Sequence, residues 1–328
     1  MDNLTDIWDM DNMADIFNVS DFDFEPEMES NYIHPWTVIW CVALVLELFG
    51  NTLVILSFAR FSEFRNTLTA FVFVISLSHV LCIITHHPIM IVTSIKGQWL
   101  FNTAICKLVP FVQDVVRLFT TWILAIIALY MLMAVKFTKY GVLLFQLRHV
   151  WKYAIVIAIV SCLMCLPIVF IYRVESVSTW TTVCLSYDEY GTIYTFYKCI
   201  IGVLVLPLTF MLISYGIVYK DFGTIDHGDT VYLRVAPSES DSILEKQSDS
   251  ISHLCVQDVK MMWIVSICHG LIQVTLLILY LNVSTIPIFI LMVVVEELGF
   301  LILPLIYVIA SQNFRTCFYR ILCCCCRQ

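Results

Sequence analysis

The sequence predicts an all-α membrane protein, a bundle of seven transmembrane helices followed by a short C-terminal amphipathic helix. Three observations carry that expectation. Of the 328 residues, 60% are Ala, Val, Ile, Leu, Met, Phe, Trp, Tyr or Cys and only 13% are charged, whereas a water-soluble domain holds about 25% charged residues. Seven apolar stretches reach the roughly 20 residues needed to cross about 30 Å of hydrocarbon. Each run is continuous, unlike the alternating strands of about 10 residues in a membrane barrel, so every backbone N–H must be satisfied within its own helix. The net charge of −8 excludes nucleic acid as a partner, because phosphate binding requires clustered Lys and Arg.

The chain divides into an acidic tail over 1–35, a seven-helix domain over 36–309 and a segment over 310–328. The tail holds Asp2, Asp6, Asp9, Asp11, Asp15, Asp21, Asp23, Glu25, Glu27 and Glu29 and no Lys or Arg. It has neither the basic start nor the apolar core of a signal peptide, so the first helix is expected to act as its own insertion signal. Its composition predicts disorder. The spans are expected at about 36–60, 68–95, 105–135, 151–172, 195–219, 260–283 and 286–309. Between the fifth and sixth lies a long loop, about 221–258, in which Ser238, Ser240, Ser242, Ser248, Ser250 and Ser252 alternate with acids. It reads as a solvated linker, or alternatively as a phosphorylatable docking segment. Beyond the last span, Phe314, Phe318 and Ile321 share one face of an interfacial helix over Gln312 to Leu322.

Cations set the sidedness, since short cytoplasmic loops accumulate Lys and Arg. With the N-terminus outside, Arg60, Arg65, Lys136, Lys139, Arg148, Lys152, Lys220, Arg234, Lys246, Lys260, Arg315, Arg320 and Arg327 fall inside. Only Lys96, Lys107, Arg173 and Lys198 fall outside, and Arg117 lies within the third span. The expected location is therefore the plasma membrane, or a host cell's membrane if the chain is viral, with the N-terminus extracellular. Asn3, Asn18 and Asn282 head Asn-x-Ser/Thr glycosylation sequons on that outer side.

Of 14 cysteines, Cys106 and Cys184 are the two accessible from the oxidising side and form a plausible disulfide. Cys41, Cys82, Cys162, Cys165, Cys199 and Cys268 fall inside spans and read as small buried hydrophobes. Cys323, Cys324, Cys325 and Cys326, beside Arg320 and Arg327 at the membrane surface, suit S-palmitoylation. No cofactor and no metal set is expected.

Several short motifs sharpen this outline. Gly50-Asn51-Thr52-Leu53-Val54 in the first span, Trp99-Leu100-Phe101 before Cys106, Pro167, Pro207 with Tyr215, and Pro304-Leu305-Ile306-Tyr307 before Phe314 together resemble the rhodopsin-like G-protein-coupled receptors over nearly the whole chain. The resemblance implies kinkable helices, an extracellular ligand, and heterotrimeric G protein or arrestin as inner partners. Proline alone proves little, because membrane helices tolerate it.

The departures from the family pattern concern switching. Counting from Cys106, the family's Asp-Arg-Tyr falls on Tyr130-Met131-Leu132, so the arginine is missing. His79 stands where the family has its sodium-binding aspartate. His269, in Cys268-His269-Gly270-Leu271, replaces the tryptophan of Cys-Trp-x-Pro, and Leu303 replaces the asparagine of Asn-Pro-x-x-Tyr. Within the family, the acidic tail, the cysteine pair and Trp99-Leu100-Phe101 look most like chemokine receptors, including divergent virus-borne copies. Chemokines are basic, and Asp21, Asp23 and Glu25 in the tail are candidates for steering such a ligand. The tail and third outer loop lack cysteine, so that group's second outer disulfide cannot form. Receptors for formyl peptides, anaphylatoxins and chemerin are the neighbouring branch.

A charge at mid-bilayer costs several kcal/mol unless paired or hydrated. Glu47, Asp114, Arg117, Glu296 and Glu297 are such residues. Asp114 and Arg117, three apart, share a helix face; Glu296 and Glu297 face different directions. Asp114, Arg117, Glu296 and Glu297 are pocket candidates, with structural pairing the plainer alternative. His79 and His269 read first as hydrogen-bonded packing residues.

The function expected is a receptor for a basic protein ligand, with atypical or constitutive signalling. The alternative is a non-signalling decoy or a heteromer-forming partner of other receptors. A transporter would need a repeat or a polar pathway. An enzyme would need a nucleophile with a base, or a phosphate loop. Neither is seen.

Overall fold

Helix α1 runs from Pro35 to Arg60, and a 3₁₀ turn at Ser62–Phe64 leads into α2, Thr67–Lys96. The structure, a computed structural model, describes residues 35–136, 144–176, 181–186, 207–223, 256–281 and 286–322. Asn66 fixes the start of α2 through a capping box: its Oδ1 accepts from Thr69 N–H at 2.8 Å, and Thr69 Oγ1 accepts from Asn66 N–H at 3.0 Å. Gly97 ends α2 at φ 65°, a left-handed conformation that suits glycine.

Helix α3 spans Thr103–Lys136 and α4 spans Leu147–Cys165. Pro167 cannot donate to the α4 ladder, and the chain crosses it with i to i−3 bonds from Val169 to Leu166 and from Phe170 to Pro167 before a last turn at Ile168–Ile171. A hairpin follows. Strand β1, Tyr172–Ser176, pairs antiparallel with β2, Thr182–Ser186, placing Val174 opposite Cys184.

Of the fifth span, residues 207–223 are described: a π-helical turn at Pro207 and Leu208, then α5, Thr209–Gly223. Helices α6, Val256–Leu281, and α7, Ile286–Ala310, complete the bundle. Helix α8, Gln312–Leu322, follows a break at Ser311, whose hydroxyl accepts from Phe314 N–H at 3.2 Å as an N-cap does. Six of these helices are each long and apolar enough to cross a membrane, and Thr209–Val218 is a shorter apolar helix.

Two helix starts differ from the expected spans, and residues 195–206 of the expected fifth span lie outside the described residues. Helix α4 starts at Leu147 and α6 at Val256, before the expected 151 and 260. Arg148, Lys152 and Lys260 sit inside these helices because their long stems reach out of the apolar layer. Cys41 and Cys162 are exposed rather than buried, on helix flanks that a bilayer would cover, while Cys82 is buried as expected.

One apolar core runs through the α8 end of the bundle, joining Leu53, Phe71, Ile123, Met131, Tyr215, Met262, Leu303, Tyr307 and Phe314. The flank of α4 is apolar too, with Ile155, Val156, Ile159, Val160 and Leu163 exposed. A helix apolar on both inner and outer faces is stable only where hydrocarbon replaces water. At the other end, β2 is clasped to the α2–α3 connection: Trp99 N–H donates to Thr182 carbonyl at 2.7 Å, and Thr182 Oγ1 donates to Trp99 carbonyl at 2.6 Å.

Candidate functional site

The hairpin end is fixed to α3 by the Cys106–Cys184 disulfide, whose Cα atoms lie 5.7 Å apart. Below this tether α3 presents Gln113, Arg117, Thr120 and Thr121, which recur at three- and four-residue spacing and so share one face. That face meets α2, α6 and α7 around a narrow cavity of about 10 Å³, room for about one water. Its polar lining comprises His79, Arg117, Thr120, His269, Gln273 and Glu296.

Arg117 is the centre of charge. Its guanidinium pairs with Asp114 one turn away at 3.1 Å and with Glu296 across on α7. Gln113 Nε2 donates to the same Glu296 carboxylate at 2.7 Å. Both partners of the Arg117–Glu296 pair are largely removed from solvent, with side chains 17% and 15% exposed. Such a pair contributes little net stability against an apolar replacement, but losing one member strands the other charge at a cost of about 3–5 kcal/mol.

Deeper, two histidines bind α3 to its neighbours. His79 Nε2 meets Thr120 Oγ1 at 3.0 Å, and its ring stands edge-on to Phe300. His269 Nε2 meets Thr121 Oγ1 at 2.8 Å. The family's sodium ion does not fit here, because an imidazole and a hydroxyl offer no anionic oxygen to replace its water.

The remaining switch positions lie in or against the packed interior. Asn51 Nδ2 donates to Glu47 carbonyl at 2.9 Å and to Phe300 carbonyl at 3.3 Å, joining α1 to α7. Pro304 lies against Gly50. Tyr130, Met131 and Leu303 are buried in the main core, with Leu132 packed against it. Pro207 is buried at the π turn. Tyr215 accepts from Ser266 Oγ at 3.4 Å, and Tyr307 OH points at Met262 Sδ, 3.9 Å away.

Glu297, beside Glu296, faces the other way. It meets His87 of α2, which also lies near Glu47 of α1. His87 was not legible as a site residue, since nothing in sequence ties it to acids 40 residues before and 210 after. The polar face of α3 was legible by spacing, beyond Asp114 and Arg117.

Asp21, Asp23, Glu25, Asn3, Asn18, Asn282, Cys199, Cys323, Cys324, Cys325 and Cys326 lie outside the described residues, as does most of the 221–258 loop. Next to that cysteine run, Cys317 is buried against the core, and burial together with Glu63 holds its thiol above the usual range.

Apolar helices around an interior ion-pair network, with a disulfide-anchored hairpin at one end, define a multi-pass membrane protein. Residues 50–313 match the family described as 7 transmembrane receptor (rhodopsin family), and the chain belongs to that family. It is 31% identical over 91 residues to the pyroglutamylated RF-amide peptide receptors of Rattus norvegicus and Mus musculus, a stretch covering 28% of this chain and 21% of each receptor. It is 28% identical over 186 residues to the C-X-C chemokine receptor type 1 of Oryctolagus cuniculus, covering 55% of this chain and 51% of that receptor. The matched region thus spans between about a fifth and about half of these curated relatives, and a chemokine-receptor-like character is among its similarities.

Proposed function

We propose that the chain is a cell-surface receptor, N-terminus outside, that binds a basic protein ligand of the chemokine class and signals atypically or constitutively. The observation that carries the binding half is the Asp114–Arg117–Glu296–Gln113 network, of which Arg117 and Glu296 line the cavity, with the acidic tail preceding α1 as its long-range complement. Coulomb attraction from such a tail raises the rate of encounter with a cationic ligand. Similarity to a chemokine receptor over half the chain supports the same class.

The signalling half rests on Met131. Where the family carries an arginine at the G-protein end of α3, this chain places a side chain with no exposed surface inside the apolar core. Ionic holding of an inactive state by that residue is chemically unavailable. A decoy or heteromerising receptor is the second reading, favoured by the same residue.

Binding of labelled chemokines to cells displaying the chain, at low and raised salt and with or without residues 1–30, tests the first half. Salt-sensitive binding that is lost on deletion is the expected result. Silence across the panel would leave a receptor for another ligand. Altered cAMP or inositol phosphate on expression would exclude the decoy reading.

A further inference from the structure

Three helices bring one imidazole and two carboxylates together in the interior of the bundle, on the side of α7 away from the Arg117 cavity. His87 Nε2 of α2 lies 3.0 Å from Glu297 Oε2 of α7 and 3.5 Å from Glu47 Oε2 of α1. Each residue can offer one ligand atom, and the three atoms lie within 4.8 Å of one another. Glu47 and His87 are each 1% exposed and Glu297 6%. We propose that Glu47, His87 and Glu297 bind a single divalent transition-metal ion of the zinc class, linking α1, α2 and α7.

The contacts have the length of hydrogen bonds without their alignment. Both ring nitrogens of His87, both carboxylate oxygens of Glu297 and Oε2 of Glu47 are buried with no hydrogen-bond partner among the described residues. Three buried ligand-type atoms this close together, and without hydrogen-bond partners, can share one ion. With Zn–N and Zn–O bonds of about 2.0–2.2 Å, neighbouring ligand atoms of a tetrahedron stand about 3.4 Å apart. The two observed separations bracket that value.

Charge favours the same conclusion. Two carboxylates removed from water repel one another and cannot both remain ionised without a compensating cation. A divalent ion beside a neutral imidazole closes the balance to zero. The donor set selects the metal class: imidazole with carboxylate suits Zn, Fe, Ni or Cu, whereas Mg²⁺ and Ca²⁺ require more oxygen ligands than are present. A water would complete four-coordination, as it does at zinc sites with three protein ligands.

The surroundings hold these ligands in place. The Asn51 amide joins the carbonyl of Glu47 to that of Phe300, one turn beyond Glu297, so the α1 and α7 acids are kept in register. Trp40 stands edge-on to both His86 and His87, with centroids 5.1 and 5.6 Å away, and closes the cluster with an apolar wall. An apolar wall of this kind limits solvent access to the cluster.

The experiment uses the full chain in lipid nanodiscs, with Cys323→Ser, Cys324→Ser, Cys325→Ser and Cys326→Ser removing tail thiols that would bind zinc themselves. Metal content by mass spectrometry, zinc-dependent thermal unfolding and the visible spectrum of the Co²⁺ form are read together. One ion per chain is expected, with a spectrum free of thiolate charge transfer. Glu47→Gln, His87→Gln and Glu297→Gln should each weaken binding about tenfold or more and abolish the thermal shift. His87→Cys should keep the ion and add a thiolate band, a gain that misfolding cannot mimic. The proposal is overturned by absence of metal above background in the parent chain, or by metal that all three substitutions leave in place. In the first case, unchanged or raised stability of Glu47→Gln would assign the cluster to shared protons.

Discussion

Arg117 and Gly50 show how single residues hold this bundle together. Arg117→Gln leaves the Glu296 carboxylate with the Gln113 amide but without its guanidinium, at a cost of about 3 kcal/mol. Thermal unfolding in nanodiscs should show that loss, and adding Glu296→Gln should recover much of it. Gly50 is constrained by space. A Cβ there would lie 3.0 Å from Pro304 Cβ and 3.1 Å from its Cγ, and a proline ring can yield only by changing pucker, which leaves its Cβ nearly in place. Overpacking of about 1–3 kcal/mol then exceeds the roughly 1 kcal/mol that alanine gains over glycine in a helix. At Gly216, where nothing lies within 4 Å of that position, the helix gain stands alone. Gly50→Ala should therefore lower the unfolding temperature and Gly216→Ala raise it; equal effects would remove the Pro304 contact from the account. At this scale Asp114 with Arg117 was legible from a spacing of three, whereas the Arg117–Glu296 pair was not, because spacing within one helix is silent about which helix lies opposite.

Helix α8 separates burial from charge within one element. Phe314 is fully buried, its ring 5.8 Å from Tyr307 and 5.9 Å from Phe64. Arg320, by contrast, meets Glu63 with both side chains more than half exposed. Losing the large buried ring costs about 3–5 kcal/mol, while an exposed ion pair contributes at most about 1 kcal/mol. Phe314→Ala should therefore release α8 to fast backbone hydrogen exchange, and Glu63→Gln should leave exchange nearly unchanged. Comparable acceleration in both would mean that charge docks the helix. The apolar stripe of Phe314, Phe318 and Ile321 made this helix readable in sequence, as continuous apolar runs did for the spans. Their ends were less legible: α4 begins at Leu147 and takes in Arg148, a cation that reads in sequence as part of the loop.

Across the whole molecule, one covalent link closes a long loop. The Cys106–Cys184 bond joins residues 78 apart in sequence, a constraint on the unfolded chain of about 4.5 kcal/mol in the loop-entropy account. Cys184→Ser should lower the unfolding temperature and the fraction of chain reaching the cell surface; normal levels of both would show the hairpin to be held by Trp99 and Thr182 alone. The bundle itself was legible because hydrocarbon thickness imposes a minimum length on every span. The Glu47–His87–Glu297 cluster was not, since it assembles from three separate helices. Helix length has one more consequence, which concerns reach. Arg117 lies 14 residues from the start of α3 at Thr103, a descent of about 21 Å at 1.5 Å per residue. The folded body of a protein ligand cannot follow α3 to that depth between packed helices. Contact with Arg117 and Glu296 requires a slender arm, and an extended chain covering about 3.3–3.6 Å per residue needs about six residues to make the journey.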